Sequence, residues 1–132
     1  MTISNKSEYI QYRFKRSQES FDEALIMIQN SKWNTAVSRL YYSCYYAVIA
    51  LLLKHDIETR SHNGVRTNFS DTFIKTGKID VKFGKLFSHL ADYRQKGDYG
   101  DLYDYDDNIV LPLVDQVKEF ISEIKILIDE EK

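Results

Sequence analysis

Apolar residues recur along this chain every three or four positions, in five stretches separated by turn-forming residues, which is the pattern of helices with about 3.6 residues per turn. Phe14, Phe21, Leu25 and Ile28 fall seven, four and three residues apart and predict a first helix over 7–29, with Tyr9 or Ile10 extending its buried face. Asn30 and Ser31 supply turn and N-cap chemistry for a second helix, which ends near 55–56. In it Ala36, Leu40, Cys44, Ala47 and Leu51 track one face, while Val37, Tyr41, Val48 and Leu52 widen it, so this helix expects two neighbours. Residues 57–61 read as a loop with Ser61 as a cap. Val65, Phe69 and Phe73 make the face of a short third helix over 62–75, stopped by Thr76-Gly77-Lys78. Asp80 caps a fourth helix, buried through Phe83, Leu86, Phe87 and Leu90, running toward Arg94 or Lys96 and ended by Gly97. The last helix carries Val114, Val117, Ile121, Ile124 and Ile128, and Pro112 requires that it start close to Val110 or kink there.

These stripes predict an all-α fold, an up-and-down bundle of four main helices plus one short helix, as a single domain over 1–132. The stretch 38–53 is its centre, since it has no Gly, no Pro and no charge after Arg39 until Lys54. Its longest unbroken apolar run, 47–53, is far short of the roughly 20 residues that span a membrane, and the polar N-terminus has no signal-peptide core. A cytoplasmic protein without membrane contact is expected. A net charge of -2 gives no global reason to bind a polyanion, so any nucleic-acid contact must be local.

Several chemistries lack their residues. None of His55, His62 and His89 follows a Glu at the Glu-x-x-His spacing of metal sites in bundles. Glu58 and His62, four apart, are separated by a stretch that reads as loop, so no metal site is expected. Cys44 lies inside the apolar run with no charged neighbour to lower its pKa, and reads as a small buried hydrophobe. No phosphate-binding Gly-rich loop occurs, and no cofactor is implied.

Two local groups remain. Arg39 is the one charge within the central run, and a guanidinium at the edge of a core takes a carboxylate or a phosphate as partner. Arg94, Asp98 and Tyr99 put a cation, a carboxylate and a phenol where a helix gives way to an acidic loop. Such a trio can hold a phosphodiester and move a proton, or it can simply fix the helix end.

The order Ser38-Arg39-Leu40-Tyr41-Tyr42, then Ser61-His62-Asn63-Gly64-Val65, then Phe73-Ile74-Lys75-Thr76-Gly77, then Arg94-Gln95-Lys96-Gly97-Asp98-Tyr99 resembles the HEPN family, in particular its short stand-alone prokaryotic members. The resemblance implies a helical bundle, commonly a homodimer. It also implies metal-independent ribonuclease activity in many members, which act as toxins or in defence, often paired with a nucleotidyltransferase-like antitoxin. Ribonuclease members carry an Arg followed after four to six residues by a His. Arg94 matches the Arg, whereas Tyr99 stands where the His is expected and no His in this chain lies at that distance after any Arg. A phenol with a pKa of about 10 is a poor substitute for an imidazole near neutrality. In related antitoxin pairs a Tyr near this motif is modified by nucleotide transfer, which makes Tyr99 or Tyr103 the corresponding acceptor.

The reading that follows is a HEPN-type module associated with nucleotide or RNA, part of a toxin–antitoxin or defence pair, with weakened or absent catalysis. Arg94 and Tyr99 are its candidate catalytic residues, and Arg39, Tyr42, His62 and Asp98 its candidate binding residues. The alternatives are an active metal-independent ribonuclease toxin, with Tyr99 or His62 replacing the usual His, and a non-enzymatic dimeric interaction module. The acidic loop, with Asp98, Asp101, Asp104, Asp106 and Asp107, repels RNA, so RNA comes from another side or the loop meets a basic partner.

Overall fold

The central run folds as a helix that touches all the others. The structure, a computed structural model, describes residues 3–59, 61–99 and 104–130, with residues 3, 4 and 99 described as backbone only. It contains α1 (Ile3–Gln29), α2 (Trp33–Lys54), α3 (His62–Phe69) running into a π-helical turn (Ser70–Ile74), α4 (Val81–Tyr99) and α5 (Asp107–Asp129). The all-α bundle predicted from the stripes is the observed architecture, four long helices and one short one.

α2 packs against α1, α3, α4 and α5, and is buried on nearly every side from Ala36 to Leu53. Two apolar faces predicted two neighbours, and the run is apolar enough to take four. By length and composition α2 is the one described helix that qualifies for a membrane span, but 72% of its apolar window is buried within the bundle. Cys44 is fully buried, and that burial pushes its thiol pKa well up, as expected for an inert side chain.

α1 begins earlier than its stripe predicted and meets α2 along a different line. Ser17, Ser20 and Ala24 are buried, whereas Leu25 is 37% exposed. Small residues let the two helices approach closely, and the buried hydroxyls are satisfied reciprocally. Ser17 Oγ donates to the Ser43 carbonyl at 2.6 Å, and Ser43 Oγ donates to the Ser17 carbonyl at 2.9 Å. Phe14, Phe21 and Ile28 pack against the core from the side of this line.

The helix ends divide into those read correctly and those corrected. Ser61 accepts from the Gly64 backbone N–H at 2.9 Å, Asp80 accepts from that of Lys82 at 2.9 Å, and Gly77 takes a positive φ of 78° in the turn after the π-helical segment. Asn30, in contrast, bonds back to the Ile26 carbonyl at 2.9 Å and so closes α1, while α2 starts after Lys32 with no side-chain cap. Gly97 does not end α4, which continues to Tyr99. A Cβ at position 97 would stand 3.2 Å from the Tyr105 ring, so this glycine makes room for a side chain of the acidic loop. Tyr105 is held there by its hydroxyl donating to the Tyr93 carbonyl at 3.1 Å and by its N–H donating to Asn34 Oδ1 at 2.8 Å. α5 starts at Asp107 behind an Asp106 cap, and Pro112 lies inside it rather than at its start.

Candidate functional site

Four tyrosines follow Arg39 on α2 within two turns, at 41, 42, 45 and 46. Because α2 and α4 lie antiparallel, the start of the former meets the end of the latter. Tyr41 is fully buried and stacks on Phe87 of α4, centroids 5.7 Å apart and planes 9° apart. One helical face further along α4, Arg94 lies over the same cluster, its Cζ 5.1 Å from the Tyr41 centroid and 5.6 Å from that of Tyr42.

Arg94 is nearly buried, with 12% of its side chain exposed. Its Nη1 donates to the Tyr42 hydroxyl at 3.4 Å and stands 3.7 Å from Asp98 Oδ2, one turn along α4. Its Nε has no hydrogen-bond partner among the described residues. A buried donor of a permanently charged group left in that condition is costly, and a ligand oxygen is one way to meet it.

His62, at the start of α3, joins the cluster from the other side. Its Nδ1 lies 2.8 Å from the Tyr41 hydroxyl, and its ring centroid is 4.8 Å from that of Tyr45. Burial raises the pKa of Tyr41, against the opposing effect of the Arg94 charge, so Tyr41 stays a phenol at neutral pH. Burial, and then the interaction with Tyr42, raises Tyr45 as well. Desolvation against the rings, and then the Arg94 charge, lower the pKa of His62. The ring is therefore held toward its neutral form. When Tyr41 donates to Nδ1, the imidazole proton sits on Nε2. In the opposite tautomer Nε2 is a free base.

Arg39 lies at the rim. It pairs with Glu23 of α1 at 3.2 Å, and its Cζ is 5.1 Å from the Tyr42 centroid, so Tyr42 has two guanidinium groups within cation–π range. The fold thus brings Arg39, Tyr42, His62, Arg94 and Asp98 to one end of the bundle. The side chain of Tyr99 and all of Tyr103 lie outside the described residues. Tyr45 and Glu23 belong to the cluster without having been singled out as site residues. The pairing of Tyr41 with His62 across 21 positions left no local signal in the sequence.

The HEPN domain family model matches residues 10–127. The chain belongs to the HEPN family. A Thermotoga maritima protein named UPF0332 protein is 32% identical to it over 98% of both chains. A Methanocaldococcus jannaschii protein named "Putative toxin MJ0142" is 35% identical over 64% of this chain and 58% of its own length. A second protein of that organism, named "Putative toxin MJ0605", is 30% identical over 70% of this chain and 69% of its own. In this HEPN chain the residue that reaches the Arg94 cluster as an imidazole is His62, 32 positions before Arg94 rather than a few after it.

Proposed function

We propose that this HEPN protein is a toxin-like module that binds nucleotide or RNA at the Arg94 end of the bundle, working with a partner in a toxin–antitoxin or defence pair. The observation that carries this reading is Arg94 itself, a nearly buried guanidinium with an Nε left unpartnered among the described residues and a neutral-leaning imidazole on the same ring cluster. Arg94 holds a phosphate, Tyr42 and Arg39 flank it, and Asp98 orients the guanidinium. The provisional toxin names of two relatives support the toxin-like part. With Tyr99 at the family's His position, catalysis is weak or absent. The working form is a cytoplasmic homodimer paired with a nucleotidyltransferase-like antitoxin.

A second reading has its own observation, the hydrogen bond between Tyr41 and His62. Here His62 stands in for the missing His of a metal-independent ribonuclease. It takes the proton of a ribose 2′-hydroxyl as that oxygen attacks phosphorus, the bond to the 5′-oxygen breaks to leave a 2′,3′-cyclic phosphate, and the departing oxygen takes a proton from solvent.

Induced expression in a bacterial host, with Arg94→Ala and His62→Ala as controls and RNA binding measured on the purified proteins, separates the two. RNA binding that is lost in Arg94→Ala, without growth arrest or cleavage, supports the binding module. Arrest and cleavage that disappear in both variants support the ribonuclease. Wild-type protein that neither binds RNA or nucleotides nor arrests growth overturns both.

A further inference from the structure

A cavity of about 280 Å³ opens between α3, its π-helical continuation and α4. Arg66, Lys85 and His89 line it together with Ser70 and Ser88, and no carboxylate is among its lining residues. This is unusual in a chain with a net charge of -2. Among the described residues neither Arg66 nor Lys85 pairs with a carboxylate, in contrast to Lys6, Arg39, Lys82 and Lys125 elsewhere on the surface.

The groove owes its shape to two local features. The π-helical turn puts Ile74 against α4, and Gly84 leaves the room, since a Cβ there would stand 3.2 Å from the Ile74 side chain. At the rim, the His89 and Tyr93 rings stack with centroids 6.3 Å apart and planes 21° apart. His89 is exposed, whereas Tyr93 is half-buried and packs also against Tyr105, centroids 5.3 Å apart.

The groove adjoins the Arg94 cluster through Phe87, which lines it and stacks on Tyr41. His62 and Arg66 are four residues apart on α3 and so share a face, one reaching the cluster and the other the groove. The charges of both Arg66 and Arg94 act on the Tyr41 hydroxyl. Along α4, Lys85 and Arg94 are nine residues apart, about 14 Å in rise and half a turn in rotation, so it is Arg66 on α3 that links the groove to the cluster. That rise exceeds the repeat of one nucleotide.

We infer that this groove is a track for single-stranded RNA, in which Arg66 and Lys85 hold backbone phosphates and the His89–Tyr93 ring pair stacks a base, leading the strand to Arg94. The inference rests on the binding function proposed above and names the path its ligand takes. Cations without carboxylate partners among the described residues, hydroxyl donors and an exposed imidazole stacked on a tyrosine are the elements of a single-strand site. The approach starts at Lys85, away from the acidic loop, which meets α4 at the Arg94 end through Tyr105.

Anisotropy of a fluorescein-labelled single-stranded RNA oligonucleotide, titrated with the full chain over a range of salt, tests this. Lys85→Glu and Arg66→Gln are each expected to weaken binding severalfold and together at least tenfold. Each should reduce the slope of log affinity against log salt by about 0.7, the loss of one phosphate contact. Lys118→Glu, on exposed α5 surface, is the control, and thermal unfolding by circular dichroism checks that every variant is folded. Groove variants that bind like wild type, while Arg94→Ala loses affinity, overturn the track and leave the Arg94 site standing. Equal weakening by Lys118→Glu also overturns it, since only net charge would then matter. A wild-type chain that does not bind the oligonucleotide overturns the track and the RNA reading together.

Discussion

The two ends of the bundle both bury aromatic rings, and they do so differently. Around Phe69, Phe83, Phe87 and Phe120 the rings meet one another at 5.6 to 5.9 Å and carry no polar group of their own. Around Tyr41, Tyr42 and Tyr45 the rings are as close, at 5.1 to 5.7 Å, but each carries a hydroxyl that must be satisfied. Phe87 touches both groups, through Phe120 on one side and Tyr41 on the other. Ring area is therefore common to the two ends, and what differs is the polar tip. At the phenylalanine end the rings are buried and carry no polar tip to recruit a partner. At the tyrosine end the hydroxyls recruit Arg94 and His62, and burial stops short of satisfying the guanidinium.

By this contrast the two ends respond to substitution in opposite ways. The largest effect on stability is expected from Phe120→Ala, which empties a fully buried site at the junction of three other rings. It should cost about 3–5 kcal/mol in urea unfolding while leaving any RNA affinity of the remaining folded protein unchanged. A loss under about 1 kcal/mol would mean that this layer is not what anchors the bundle.

Tyr41→Phe keeps the ring and removes the tip. It should cost only about 1 kcal/mol, the net value of one hydrogen bond, because His62 is exposed enough to bond water instead. A cost as large as that of Phe120→Ala would erase the distinction between the ends.

The smallest effect is expected in the titration of His62. Its folded pKa lies below its unfolded value of about 6.5, so the unfolded chain takes up the proton first as pH falls. The contribution of the neutral ring to stability is complete above that unfolded value and is lost as pH drops through the folded one. Proton NMR of the imidazole should place His62 below the ordinary range, and Arg94→Ala should move it back up by removing the nearby cation. A His62 that titrates at or above the ordinary value would detach it from the cluster.

Much of the fold was legible from spacing, because a helix that buries one face must repeat its apolar residues with the helical period. Phe83, Leu86, Phe87 and Leu90 of α4 and Val65, Phe69 and Phe73 of α3 are buried as their stripes required. α1 was misread at Leu25 because its contact line is made of serines and an alanine, whose value lies in their small size, a property that a hydrophobic pattern does not record. Gly97 looked like a helix stop because glycine usually is one, whereas here it accommodates a ring that comes from eight residues further on.

The sequence by itself determined the helices, the central place of α2 and the family, since periodicity and ordered motifs are local properties of the chain. It also singled out Arg94, Asp98 and Tyr99 as chemistry at a helix end. Only the tertiary structure decided which imidazole comes to that end, and that Arg66 and Lys85 line one groove beside it. The reason is geometric. Which residues meet across a bundle depends on how its helices are packed, and the antiparallel packing of α2 and α4, with α3 running beside α2 from Tyr41 toward His55, joins side chains 21 to 52 positions apart.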